Sequence, residues 1–142
     1  MIKTIVVLDT NIFISAVFWE GKPYILVKKA INQEIIVFIS NYIIEEIRKV
    51  LVRDFNLEKQ EIEDIVNAVL YFTHLIEPKE SVIVIKDDPK DDKILNCALA
   101  CKADYIVSQD NHLLNLKIFR SIKIVSPEEF LKTLDCLLIT PF

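Results

Sequence analysis

Four acidic residues stand at the ends of four separate apolar segments: Asp9, Glu46, Asp91 and Asp110. Each segment reads as a buried strand or helix face that gives way to a polar turn or flank carrying an acid. The pattern predicts one carboxylate cluster assembled by folding. Carboxylates crowded together repel, so without a cation one of them protonates or the site splays. Hard oxygen donors favour Mg2+ or Mn2+, which keep bound waters and also take phosphate oxygens. Two such ions about 4 Å apart activate an attacking water and stabilise the leaving oxygen of an in-line displacement. The reaction class this predicts is phosphodiester hydrolysis, with one or two ions as cofactor.

Each acid also has an ordinary structural role to fill. Asp9 closes a buried strand and can cap the short helix beginning near Asn11, although Thr10 and Asn11 can do that job and free it. Glu45 and Glu46 are adjacent, and helical rotation of about 100° per residue separates them. Ile43, Ile47 and Val50 define the buried face; Glu46 lies on its border, whereas Glu45 points away. In the run from Asp88 to Asp92, Asp88 reads as an N-cap, Pro89 as the first helical residue and Asp91 as the third. Asp91 shares a face with Ile94, Leu95 and Ala98, and Asp92 is turned about a quarter circle aside. Asp91 is therefore the expected ligand, with Asp88 a candidate outer ligand. Asp110 can equally be a turn or cap residue. Jointly, the four acids fall where a sheet rim and its facing helices converge, with no lysine or arginine expected to pair them.

The elements that must position these groups alternate. Ile2–Leu8 is a strand buried on both faces, followed by a short helix from Asn11 and a second from Pro23 to about Asn32. Ile35–Ile39 is a second strand. Ser40 caps a helix that breaks at Arg53–Asn56, and a second amphipathic helix, from about Glu58 to Leu75, folds back on it as an antiparallel hairpin. Val82–Ile85 reads as strand three, the segment from Asp88 to about Lys102 as a helix, Tyr105–Val107 as strand four and Ile122–Val125 as strand five. Pro127 opens a last helix to about Leu134. Strands alternating with helices predict an α/β fold, a three-layer α/β/α sandwich around a central parallel sheet of four to five strands. VVLDTN and YIVSQD would then carry Asp9 and Asp110 to one rim, where open α/β sheets bind ligands.

The chain has 142 residues, 52% of them hydrophobic, enough for one core, and its single glycine leaves no linker to divide it. One domain over residues 1–134 is expected, with an apolar tail at 135–142 that either docks on the core or lines a dimer surface. No apolar run approaches the roughly 18 residues of a membrane span, and Asp9 and Asn11 interrupt any signal-peptide core. A cytoplasmic protein is expected. Three cysteines without metal-finger spacing read as buried thiols of a reducing compartment. The formal charge of −4 seems to oppose a nucleic-acid partner. Setting aside the four proposed ligands, the 21 acids fall to 17, equal to the 17 lysines plus arginines, so charge excludes nothing.

The motifs in order resemble the PIN-domain family, and more narrowly its toxin branch in bacterial and archaeal toxin–antitoxin pairs. VVLDTNIFISA (Val6–Ala16) is similar to the family's opening motif and SNYIIEEIRKVL (Ser40–Leu51) to its Ser-to-Glu helix. DPKDDKILNCALACKADYIVSQDNHLL (Asp88–Leu114) is similar to its third and fourth motifs, and IVSPEEFL (Ile124–Leu131) to its closing one. The resemblance implies a metal-dependent ribonuclease with Asp9, Glu46, Asp91 and Asp110 as ligands, and Thr10, Asn11 and Ser108 orienting them or the scissile phosphate. It implies RNA cut by metal-activated water to leave a 5′-phosphate, a small antitoxin that blocks the site, and a homodimer. Two positions depart from the pattern: Gln109 stands where many relatives have Gly, and His112 replaces a frequent second Asp. His112 then reads as a surface residue or a proton shuttle, and His74 as structural.

Arg48, Lys49, Arg53, Lys90, Lys93 and Lys102 are candidates for a basic rim or for ordinary solvated helix surface. Phe18 and Trp19 fit core packing better than base stacking. The competing function is a catalytically inactive PIN-like module that binds RNA or protein. A receiver-type phosphoacceptor would want an acidic pair after strand one, where Thr10 and Asn11 stand, and a phosphate-cradling loop needs more than one glycine.

Overall fold

The computed structural model describes residues 2–79 and 89–139. β1 (Thr4–Leu8) and β2 (Ile35–Ile39) are runs of branched apolar residues, which suit a strand covered on both sides. α1 (Thr10–Phe18) and α2 (Lys22–Ile31) join them, and α3 (Asn41–Phe55) and α4 (Lys59–Phe72) lead on to β3 (Thr73–Leu75). α5 (Pro89–Cys101), β4 (Tyr105–Val107), the single turn α6 (Asn111–Leu114), β5 (Ile118–Phe119), β6 (Ile122–Val125) and α7 (Pro127–Ile139) complete the order.

Among the described residues the sheet has six strands in the order β3-β2-β1-β4-β6-β5, all parallel except the antiparallel edge pair β5–β6. The chain moves outward from β1 through β2 to β3, then returns to the other side of β1 for β4 and β6. Right-handed crossovers place helices on opposite faces for these two directions, giving the three layers expected. The core fills the sheet interior, with Val6, Val7, Leu8, Val37, Ile106 and Val107 fully buried.

Local chemistry sets most of the boundaries. The Ser40 hydroxyl accepts from Ile43 N–H at 3.3 Å and caps α3, as its position predicts. α3 ends at Asn56 in the left-handed region (φ 50°), which asparagine tolerates. α4 stops at Phe72, three residues before the expected end at Leu75. Thr73 turns extended there and pairs with Val37, while its hydroxyl donates to Val69 O at 2.9 Å. His74 therefore lies exposed on the edge strand, its ring 5.5 Å from Phe38, rather than on a helix. The strand expected at 82–85 lies outside the described residues. Two of the six described strands, β3 and β5, are additional to those expected; β5 has only two residues, too few to show an alternating pattern. α7 runs on to Ile139 rather than ending near Leu134, since no proline or glycine stops it there.

With one glycine in the chain, left-handed positions fall to other residues, among them Gln33, Lys102, Arg120 and Ser121. Lys102 (φ 55°) ends α5 in a paired arrangement, its N–H donating to Leu99 O at 3.2 Å and that of Ala103 to Ala98 O at 2.9 Å. A side chain in this conformation costs about 1 kcal/mol. Lys102→Gly is expected to raise the thermal midpoint by about 3 °C, measurable by circular dichroism. A lower midpoint would show that the lysine side chain makes an offsetting contact.

Candidate metal centre

β1 and β4 lie side by side, with Leu8 opposite Val107, and the chain leaves them toward opposite sides of the sheet. A crevice outside the strand ends at such a switch point is where open α/β sheets bind ligands. Asp9 follows β1 directly, and its N–H donates to Val107 O at 3.0 Å. Its Oδ1 accepts from Thr10 N–H at 2.7 Å and caps α1, while Oδ2 accepts from the Ser108 hydroxyl at 2.8 Å. The same hydroxyl oxygen accepts from Asp110 N–H at 2.9 Å. Ser108, fully buried after β4, thus ties the two rim acids together. Asp110 in turn caps α6, its Oδ1 accepting from His112 N–H at 2.7 Å.

The other two acids arrive on helices. Asp91, only 4% exposed, lies in the first turn of α5, which packs on β1, β2, β4 and α3. Its Oδ2 is 3.9 Å from His112 Nδ1, and Asp110 Oδ1 is 4.0 Å from the same nitrogen. Donor atoms of Asp91, Asp110 and His112 all lie within 4.8 Å of one another. Glu46, 6% exposed on α3, is met by Lys49 Nζ at 3.5 Å and Lys90 Nζ at 3.6 Å. Lys90 immediately precedes Asp91, so the second contact sets Glu46 against the start of α5.

Oxygen donors with one imidazole nitrogen, gathered within ligand-to-ligand reach, are a chemically suitable set for a small divalent cation. Asp91 and Asp110 belong to that set; Asp9 is joined to it through Ser108, and Glu46 through Lys90. Neither Asp9 nor Glu46 has an oxygen within the 4.8 Å grouping.

Several expectations change in the folded chain. Asp9 does cap α1 through one oxygen, while its other oxygen takes the Ser108 hydroxyl, so capping leaves the second oxygen turned to the rim. The expectation that no lysine would pair the acids fails at Glu46, because Lys49 lies one turn along α3 and Lys90 comes from a helix remote in sequence. Asp92 is buried (7%) beside Asp91, although Pro89, Lys90 and Lys93 around the pair are exposed. Asn11 is exposed, Thr10 half-buried, and Asp88 lies outside the described residues. His112 is the residue that sequence reading undervalued. Its signal was position, two residues after a capping acid, where the first turn of α6 brings the ring back beside Asp110.

The basic rim is narrower than six residues suggest. Arg53 is bound to Asp54, and Arg48 bridges α3 to Glu63 of α4 at 3.0 Å as well as bonding Glu45. The hydrogen bond from Arg48 holds the Glu63 carboxyl below the usual glutamate range. A carboxyl with a lowered folded pKa adds stability above the unfolded value of about 4.3, and that stability is lost as pH falls through the folded one. Glu63→Gln is therefore expected to lower the urea midpoint slightly at pH 7, with the gap to the parent chain closing on acidification. An equal gap at all pH values would disprove the sign.

Trp19 is 59% exposed rather than in the core, resting its edge on Phe55, while Phe18 stacks on Phe55 at 4.0 Å. Burial pushes the Cys97 thiol up to about 12 and Cys101 up to about 11, so both stay protonated as expected of core thiols. Cys136 is exposed instead. No helix among the described residues is long and apolar enough to cross a membrane.

A family model described as the PIN domain matches residues 5–112, a span that contains Asp9, Glu46, Asp91, Asp110 and His112. The chain belongs to the PIN domain family. This PIN domain is similar in fold to VapBC2 from Rickettsia felis, solved bound to a DNA fragment from its promoter. There the TM-score is 0.61 at 15% identity, covering 85% of this chain and 97% of that one. It is also similar to the PIN domain of RRP44 from T. brucei, with a TM-score of 0.50 at 11% identity, covering 96% and 82% of the two chains. At such identities the likeness is one of fold. No curated protein sequence matches the chain.

Proposed function

We propose that this PIN domain is a Mg2+- or Mn2+-dependent endoribonuclease, hydrolysing RNA phosphodiester bonds as the toxin of a toxin–antitoxin pair. The observation that carries the proposal is the convergence of Asp91, Asp110 and His112 donor atoms within 4.8 Å at the β1–β4 switch point. Asp9, Glu46, Asp91 and Asp110 are the acidic residues that hold the cation, with Ser108, Thr10 and Asn11 orienting them or the phosphate. When bound, a divalent cation supplies a water acidified toward neutral pH and charge neutralisation at the phosphate. The protein's own part is to fix the carboxylates: Ser108 sets Asp9 against Asp110, and the cap of α6 sets Asp110 against His112. Lys49 and Lys90 beside Glu46 offer positive charge to an approaching phosphate backbone.

The cytoplasmic site of action, homodimerisation and the antitoxin belong to the same proposal and rest on the family likeness. So does the division into a nuclease domain at 1–134 and a tail at 135–142. An antitoxin has an apolar surface available, a groove lined by Phe13, Val17, Tyr24, Ile31, Ile65 and Phe72 from α1, α2 and α4.

Incubation of the purified chain with total RNA and Mn2+, with and without EDTA, tests the activity. Products carrying 5′-phosphates that vanish with EDTA are expected; cleavage that survives EDTA excludes the mechanism. One observation favours the inactive binding module: Glu46 already has two ammonium partners. Calorimetric titration with Mn2+ separates the two, because a degenerate module shows no carboxylate-dependent uptake.

A further inference from the structure

We infer that His112 is a nitrogen ligand of this cation site, and that the cleft consequently prefers Mn2+ to Mg2+ more strongly than a carboxylate-only site. The inference rests on the metal-dependent reading given above. His112 Nδ1 faces two carboxylate oxygens at once, at 3.9 Å and 4.0 Å. Both separations are too long for a direct hydrogen bond. They are within the span that ligand atoms of one ion can reach, about 3 Å for adjacent and about 4.2 Å for opposite positions at bond lengths of about 2.0–2.2 Å, so the exposed ring has to close in by up to about 1 Å as an ion binds.

The backbone at His112 is fixed by the cap of α6. His112 N–H caps onto Asp110 Oδ1 at 2.7 Å, which brings the imidazole back over the carboxylate that its own backbone engages. The imidazole is 65% exposed and the Asp91 side chain 5%, so the ring has room to move toward a buried acid 3.9 Å away. Glu46, by contrast, meets an ammonium group at each carboxylate oxygen. Among the described residues, Asp91, Asp110 and His112 are the three whose donor atoms lie within 4.8 Å of one another.

A nitrogen donor changes which ions bind. Carboxylate and water ligands suit Mg2+, whereas imidazole favours first-row transition ions, whose affinities rise along the series from Mn2+. Replacing the imidazole by a carboxylate should weaken that bias without emptying the site.

The test is titration of the 142-residue chain with Mn2+ alone and with Mg2+ alone, by calorimetry, for the parent, His112→Ala and His112→Asp, joined to pulsed EPR of bound Mn2+. Expected are a 14N coupling from imidazole in the parent that disappears in both variants, and about 10- to 100-fold weaker Mn2+ binding in His112→Ala. His112→Asp should narrow the Mn2+/Mg2+ affinity ratio severalfold. Thermal midpoints of the metal-free variants should match the parent, since the side chain is exposed. Mn2+ binding that depends on Asp91 but shows no nitrogen coupling and no change in His112→Ala overturns the inference alone, leaving His112 as an ion-pair partner of the two acids. Absence of any Asp91-dependent Mn2+ binding overturns the metal reading itself.

Discussion

Asp91→Asn is expected to reduce RNA cleavage by about 10²–10³-fold or more, a loss comparable to deleting one group that stabilises developing charge. Asp91 is the most buried of the four acids, and its Oδ2 belongs to the grouping with Asp110 and His112. An amide keeps the shape but removes the negative charge that would retain a cation in the proposed site. The fold should tolerate the change well, because taking one charge from a crowded acidic site relieves repulsion in the metal-free state. The thermal midpoint without metal should be equal or higher, while Mn2+ should no longer raise it. For the parent, saturation at about 100 times Kd adds roughly 2.7 kcal/mol. Gel-based cleavage assays and thermal melts with and without Mn2+ read both effects. Retained cleavage in Asp91→Asn would remove the proposed function.

Phe130→Ala is expected to cost about 3–5 kcal/mol, a large part of the roughly 5–15 kcal/mol that holds a domain folded. Phe130 is 1% exposed in α7, and its ring meets Tyr105 of β4 edge-on, with centroids 5.3 Å apart. Removing it leaves a cavity under the strand whose end carries Ser108 and Asp110. Urea denaturation measures the loss, with the slope unchanged if the unfolded state is the same. A cost under about 1 kcal/mol would mean that α7 is not integral to the core. A secondary loss of Mn2+ affinity should accompany it, since β4 positions half of the rim.

The legible parts of this protein were those in which a local pattern has one solution. β1, β2, β4 and β6 are branched apolar runs, and Ser40 and Pro127 mark helix starts whose chemistry permits little else. β3 is not legible because Thr73–Leu75 carries no proline or glycine to end α4, and only pairing with β2 pulls it into the sheet. β5 exists through its pairing with β6 across Arg120 and Ser121, a turn without the Asn-Gly signature that usually announces one. Asp92 and Trp19 show the same limit: helical rotation describes direction, but neighbours decide burial.

The sequence alone determined which residues carry acid to the ends of apolar segments, because hydrophobic periodicity fixes strands and helices within a few positions. It thereby determined the α/β class and the candidates Asp9, Glu46, Asp91 and Asp110. Tertiary structure decided how those acids divide: two share the hydroxyl of Ser108, one is met by two lysines, and His112 stands between Asp91 and Asp110. The physical reason is range. Periodicity acts over a few residues, whereas a site's electrostatics depend on groups up to about 100 positions apart in the chain, such as Asp9 and Ser108, which only folding brings within a hydrogen bond.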